Sequence, residues 1–149
     1  MIIYLDASAL VKRYIAETGS QEVDQIITTA DLIATALISR AEVAAALAKA
    51  VRVNALHSDN ANNALKRFRA QWNNLIRLQM TETLIIRADA LAWDYGLRGY
   101  DAVHLAAAQI WQETIGEPVV LATFDRQLWT AGQSTGLSSW PDDLDRFAR

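Results

Sequence analysis

Cysteine is missing from the sequence, and with it go disulfide frameworks, thiolate zinc sites, iron–sulfur clusters and thiol nucleophiles. Any metal bound by this chain is therefore held by oxygen or imidazole. Long apolar runs are missing too: none approaches the roughly 18 residues of a membrane span. The N-terminal MIIYLDASAL reaches a carboxylate at Asp6 before a signal-type apolar region develops. These absences lead to the expectation of a cytoplasmic protein with no membrane contact. Nor is there a basic excess. Fourteen Lys and Arg stand against 17 Asp and Glu, a net charge of −3, so an overall basic surface is not what would hold a nucleic acid. The charge is nevertheless uneven, because residues 40–100 carry nine basic against five acidic side chains while both flanks are acidic. No internal repeat, low-complexity segment or linker interrupts the 149 residues, which suit one domain spanning 1–149 by the prior of roughly 150 residues per domain.

What is present is a soluble, globular composition, 52% hydrophobic and 21% charged. The run IIYL at 2–5 reads as a buried strand that passes at Asp6 into a helical pattern (Leu10, Val11, Tyr14, Ile15). Thr18, Gly19 and Ser20 punctuate, and Ser20 is placed to cap a helix carrying Val23, Ile26 and Ile27. Leu32 to Thr35 predicts a second strand. Ser39 and Glu42 have capping-box spacing before an alanine-rich helix from Val43 to Val53. A long helix follows from Ser58 to about Arg77, then a brief strand at Leu78 to Met80, a helix from Thr81 to about Gly96, and an apolar helix starting at Asp101. PVVLAT at 118–123 is the clearest strand, followed by a helix from Phe124 to Ala131 and an edge strand at Leu137 to Ser139. Apolar strands alternating with helices imply an α/β fold, a central parallel sheet of four to five short strands with helices on both faces.

In such a sheet ligands bind outside the carboxyl ends of the strands. Asp6 follows the first strand and Asp125 follows the PVVLAT strand, while Glu42 and Asp101 lie in helix first turns that can share that rim. Each acid alone also has an ordinary structural reading, Glu42, Asp101 and Asp125 at helix N-termini and Asp6 as a satisfied turn residue. Together they form a set of hard oxygen ligands suited to Mg2+ or Mn2+. Ser8, two residues after Asp6, and Thr123, two before Asp125, are positioned to orient a carboxylate.

Four blocks, YLDASALVKRYIAE at 4–17, ISRAEVAAAL at 38–47, GLRGYDAVHLAAA at 96–108 and VVLATFDRQL at 119–128, make the chain resemble the PIN-domain nucleases, and among them the VapC-type toxins of toxin–antitoxin pairs. The resemblance covers nearly the whole chain. It implies a magnesium-dependent endoribonuclease whose metal-binding residues match Asp6, Glu42, Asp101 and Asp125, with Ser8 and Thr123 at the family's usual hydroxyl positions. Phe124 is bulkier than the residue often found between that Thr and Asp. Carboxylate-held Mg2+ suits phosphodiester hydrolysis, supplying an activated water and charge compensation without a protein nucleophile. Four carboxylates this close are expected to raise one another's pKa until a cation relieves them. The resemblance also implies an RNA substrate, a homodimer and a cognate antitoxin protein. The apolar side chains of the early helices and of the alanine-rich helix are expected to form those interfaces.

Arg98 either meets a substrate phosphate or pairs with a site carboxylate. His104 in AVHLAAA reads as a hydrogen-bonded packing residue, His57 as a loop residue, and the five tryptophans as core or interface anchors. Two other readings stand beside the nuclease. A haloacid-dehalogenase-like phosphatase also places an Asp after its first strand, but usually has a second acid where this chain has Ser8. A non-catalytic interaction module would use the acids only as helix caps.

Overall fold

The computed structural model describes residues 1–148. Strand β1 (Ile2–Leu5) is buried along its whole length and lies in the middle of a five-stranded sheet of order β3-β2-β1-β4-β5. Its partners are β2 (Leu32–Ala36) and β4 (Val120–Ala122), flanked by β3 (Ile76–Leu78) and β5 (Ser138–Trp140), and every pairing is parallel. Successive side chains of a strand face opposite ways, so β1 feeds two cores. Ile2 and Tyr4 pack with α5 (Glu82–Tyr95), α6 (Gly99–Ile115) and α7 (Arg126–Ser134), whereas Ile3 and Leu5 pack with α1 (Ala7–Leu10), α2 (Ser20–Thr29), α3 (Ser39–Arg52) and α4 (Ser58–Gln71). The expected parallel sheet covered on both faces is the fold observed. Among the described residues no helix is long and apolar enough to cross a membrane.

The strand order places the functional rim. After β1 the chain builds outward through β2 and β3, then returns to add β4 and β5 on the other side. The carboxyl ends of β1 and β4 therefore border the crevice where the winding reverses, the position at which open α/β sheets bind ligands.

Some local expectations change. The capping box at Ser39 does not form: the connection from β2 is only Leu37–Ile38, so Ser39 sits over the strand end, buried, with its hydroxyl 2.6 Å from that of Thr35. Ser20 donates to the Ile15 carbonyl, and Gly19, in a left-handed turn (φ 93°), is the residue at the cap of α2. The long helix stops at Gln71 because Trp72–Asn74 tightens into a 3-10 turn, which brings β3 forward to Ile76. The helix carrying Asp101 starts at Gly99 with Arg98 as its cap, α7 begins only after Asp125, and the last strand shifts by one residue.

Much of the apolar surface of the early helices is used inside the chain. Leu10, Val11, Tyr14, Val23 and Ile26 are consumed by the chain's own core. After four residues the first helix tightens into a 3-10 turn at Val11–Arg13, and Ala9, Leu10, Val11 and Tyr14 pack in one core with residues of α3 and α4. Large exposed apolar side chains are most numerous on α5, with Ile85, Ile86, Tyr95 and an 88% exposed Trp93.

Candidate active site

Asp6 leaves β1 as the cap of α1, its Oδ1 accepting from the backbone N–H of Ala9 (3.0 Å) and from the Ser8 hydroxyl (2.7 Å). Its other oxygen accepts from the Thr123 hydroxyl at 2.6 Å. Thr123 in turn accepts from the backbone N–H of Asp125 (3.0 Å), and Ser8 from that of Phe124 (2.9 Å). Two hydroxyls thus tie the end of β1 to the turn after β4, and a carboxylate held by three donors has little rotational freedom. The bulk of Phe124 does not enter this network. Its ring meets Trp140 and Phe147 edge-on, at 5.8 and 5.3 Å between centroids.

Asp125 caps α7 through Oδ1, accepting from Leu128 N–H at 2.9 Å. Its Oδ2 accepts from Nη2 of Arg98 at 2.8 Å, while Nε of the same guanidinium donates to Oδ2 of Asp101 at 2.9 Å. Arg98 therefore pairs with two of the candidate carboxylates, bridging acids from different elements. Its side chain remains 65% exposed.

Glu42, in the first turn of α3, is held from the opposite side. Its Oε1 lies 2.6 Å from Nε2 of His104, which donates to it, and Nδ1 of His104 lies 2.7 Å from the Tyr4 hydroxyl. His104 is hydrogen-bonded and buried, as its apolar setting predicts, but the sequence reading did not identify Glu42 as its partner. A signal existed: Asp101 and His104 are three residues apart on one helix and so share a face. Replacing His104 with Leu leaves the Tyr4 hydroxyl and Glu42 without that partner. At roughly 1–3 kcal/mol for a buried polar group losing its partner, with Glu42 partly open to water, this should cost about 2 kcal/mol and lower the unfolding midpoint by roughly 6 °C. Thermal unfolding followed by circular dichroism checks this, and an unchanged midpoint would show the bridge to be energetically idle.

Burial raises the pKa of Asp6, against the charge of His104 and the hydrogen bonds from Thr123, Ser8 and Ala9. Burial likewise raises Asp101, helped by the charges of Asp125 and Asp6 and opposed by Arg98. Desolvation is thus the leading cause, and the mutual repulsion expected from the sequence is secondary because Arg98 and His104 already compensate it. For His104, burial disfavours the charged ring, but the Glu42 hydrogen bond and the charges of Asp6, Glu42 and Asp101 outweigh it and raise the pKa.

The donor set fits a hard divalent cation in kind, because Asp6, Asp101 and Asp125 offer carboxylate oxygens on elements linked through Thr123 and Arg98, with Asp6 and Asp101 shielded from water. As the side chains stand, no three His, Asp or Glu among the described residues gather closely enough to hold an ion. Arg98 holds Asp101 and Asp125, and His104 holds Glu42, so an ion at this rim would share its carboxylates with these two side chains.

A family profile described as PIN domain matches residues 3–131. Ribonuclease VapC45 of Mycobacterium tuberculosis (strain CDC 1551 / Oshkosh) is 34% identical over 145 residues, covering 97% of this chain and 98% of its own. Among solved structures, PAE2754 from Pyrobaculum aerophilum superposes with a TM-score of 0.66 at 22% identity over 99% of this chain and 96% of its own. A chain of a toxin–antitoxin complex from Klebsiella pneumoniae superposes with a TM-score of 0.60 at 20% identity over 84% of this chain and 87% of its own. These structural likenesses bear on the fold.

Proposed function

The chain belongs to the PIN-domain family, and on that premise we propose that it is a metal-dependent endoribonuclease, the toxin of a toxin–antitoxin pair. The observation that carries this reading is the joining of acids from distant parts of the chain at the β1/β4 crevice, Asp6 to Asp125 through Thr123 and Asp125 to Asp101 through Arg98. The name of the M. tuberculosis relative supports ribonuclease activity, and the Klebsiella complex supports an antitoxin partner.

In this reading Asp6, Glu42, Asp101 and Asp125 hold Mg2+ or Mn2+. The ion, when bound, supplies Lewis acidity toward the scissile phosphate and the attacking water. Ser8 and Thr123 keep Asp6 from rotating, and His104 aims Glu42 at the rim. Arg98 is a cation on a partly exposed tether, so once it leaves the acids its guanidinium is available to a substrate phosphate. Because Arg98 and the ion use the same carboxylates, Arg98→Gln should tighten Mn2+ binding several-fold while lowering turnover. Calorimetric titration with Mn2+ tests this, and weaker binding in the variant would contradict it.

Neither other reading is favoured by an observation. The phosphatase usually has a second acid where Ser8 stands, and the Ser8 hydroxyl is committed to Asp6 and Phe124. Asp6 and Asp125 do cap helices, but capping alone gives no reason to bury Asp101 and bridge it to Asp125. The exposed face of α5 is the surface on which a second copy of the chain would dock. Expression of the chain should arrest growth, and coexpression of a neighbouring small reading frame should relieve the arrest. Growth unaffected by expression would contradict the toxin assignment while leaving the nuclease reading to be judged on RNA.

A further inference from the structure

Beside the carboxylate rim lies a cavity of about 430 Å³ lined by Ile38, Ala41, Glu42, Ala45 and Tyr100. It is continuous with the rim by covalent structure: Ala41 directly precedes Glu42 and Tyr100 directly precedes Asp101, so their Cα atoms are each about 3.8 Å from that of an acid. Glu42 belongs to both. One wall is α3, where Ala41 and Ala45, four residues apart, fall on the same face and present only methyl groups. The other is the first turn of α6, where the phenol ring of Tyr100 stands 58% exposed. An aromatic ring held in water opposite a low methyl surface, with one carboxylate at the edge, matches a flat ligand with apolar faces and a polar edge.

We infer that this cleft is a nucleobase subsite, in which the base of a nucleotide adjoining the scissile phosphate stacks on Tyr100 with its other face toward Ala41 and Ala45. The inference rests on the nuclease reading and deepens it by assigning part of the substrate to particular residues. A phosphodiester over Asp6 and Asp101 carries a nucleoside on each side, and the cleft begins one residue from Asp101. Single-stranded RNA is typically recognised by stacking unpaired bases on aromatic side chains. The exposed large apolar side chains of α5 are other residues, so the cleft is separate from that surface.

The test is a coupling measurement on short RNA oligonucleotides, each carrying one abasic nucleotide at a different position, titrated in Mg2+ against the uncut complex of the Asp6→Asn protein. In that background an abasic position next to the cleavage site should weaken binding roughly tenfold or more, and Tyr100→Ala should weaken binding of the intact oligonucleotide by a similar factor. Combining the two should add nothing, because both remove the same stack, and Tyr100→Trp should retain affinity. In otherwise unaltered protein, Tyr100→Ala should raise KM on a single-site oligonucleotide and leave kcat nearly unchanged. Losses that multiply independently, or an intact affinity in Tyr100→Ala, would overturn the subsite. So would a change in oligomeric state or in capture of a coexpressed protein with RNA binding untouched, since the cleft would then be a protein interface. RNA bound with this coupling by a protein that cleaves nothing would instead sink the nuclease reading and leave the subsite standing.

Discussion

Adding EDTA to the purified protein is expected to abolish RNA cleavage, and excess Mg2+ or Mn2+ to restore it. The expectation follows from the inventory of the rim. It holds no cysteine, no serine or threonine hydroxyl released from structural duty, and an imidazole occupied on both ring nitrogens. The groups in surplus are carboxylates, two of them buried at a desolvation cost that raises their pKa. Carboxylates do not stabilise a phosphorane-like transition state, because charge of the same sign accumulates on its oxygens. A divalent cation reverses that sign and is worth several kcal/mol, on the order of a thousandfold or more in rate. Cleavage that continues undiminished in EDTA would remove the cation from the account.

Asp6→Asn and Asp101→Asn should each lower turnover by roughly a thousandfold, the loss expected when a ligand's charge is removed from the reacting centre, while leaving the fold intact. Asn keeps the volume of Asp, and at position 6 its carbonyl still accepts from Ala9 and Ser8. The two substitutions should not destabilise the metal-free protein at neutral pH and should raise its unfolding midpoint, because each removes a charge that burial disfavours. The sign follows from linkage. A carboxyl whose pKa is raised in the folded state binds protons more tightly there than in the unfolded chain. Its stabilising contribution is full below the ordinary carboxylate pKa and is lost as pH rises through the folded-state value. Metal-free wild-type protein should therefore lose stability between acid and neutral pH, Asp6→Asn should lose less, and added Mn2+ should restore what the carboxylates cost. Midpoints recorded across that range with and without Mn2+ check this. A midpoint that rises with pH for wild type but not for Asp6→Asn would mean that Asp6 is stabilised by its surroundings and is not waiting for a cation.

The sequence made the layer structure legible because each strand is a short apolar run set between helical periodicities, and a parallel sheet buried on both faces has no other way to be written. Asp6 and Asp125 were legible because one directly follows β1 and the other stands three residues after β4. Less legible was anything decided by two elements meeting. Ser39 reads as a cap from its spacing to Glu42, but a two-residue connection puts it over Thr35, and burial overrides the cap. His104 reads as packing, which it is, but its bond to Glu42 joins α6 to α3 across 62 residues, and no local pattern encodes that distance. The early helices read as surplus apolar surface because a one-dimensional pattern does not reveal that α3 and α4 come back to cover Leu10, Val11, Tyr14 and Ile26. Arg98 was visible as a cation near Asp101, and only the return of the chain at β4 adds Asp125 as its second partner.

The most direct measurement is the fate of labelled oxygen when the purified protein cuts a single-site RNA oligonucleotide in Mg2+ and 18O-enriched water, read by mass spectrometry of both fragments. Attack by water at the carboxylate rim predicts one 18O in a 5′-phosphate and an unlabelled 3′-hydroxyl, with the signal absent for Asp6→Asn. Fragments ending in an unlabelled 2′,3′-cyclic phosphate would mean that the ribose hydroxyl is the nucleophile, and would contradict the account.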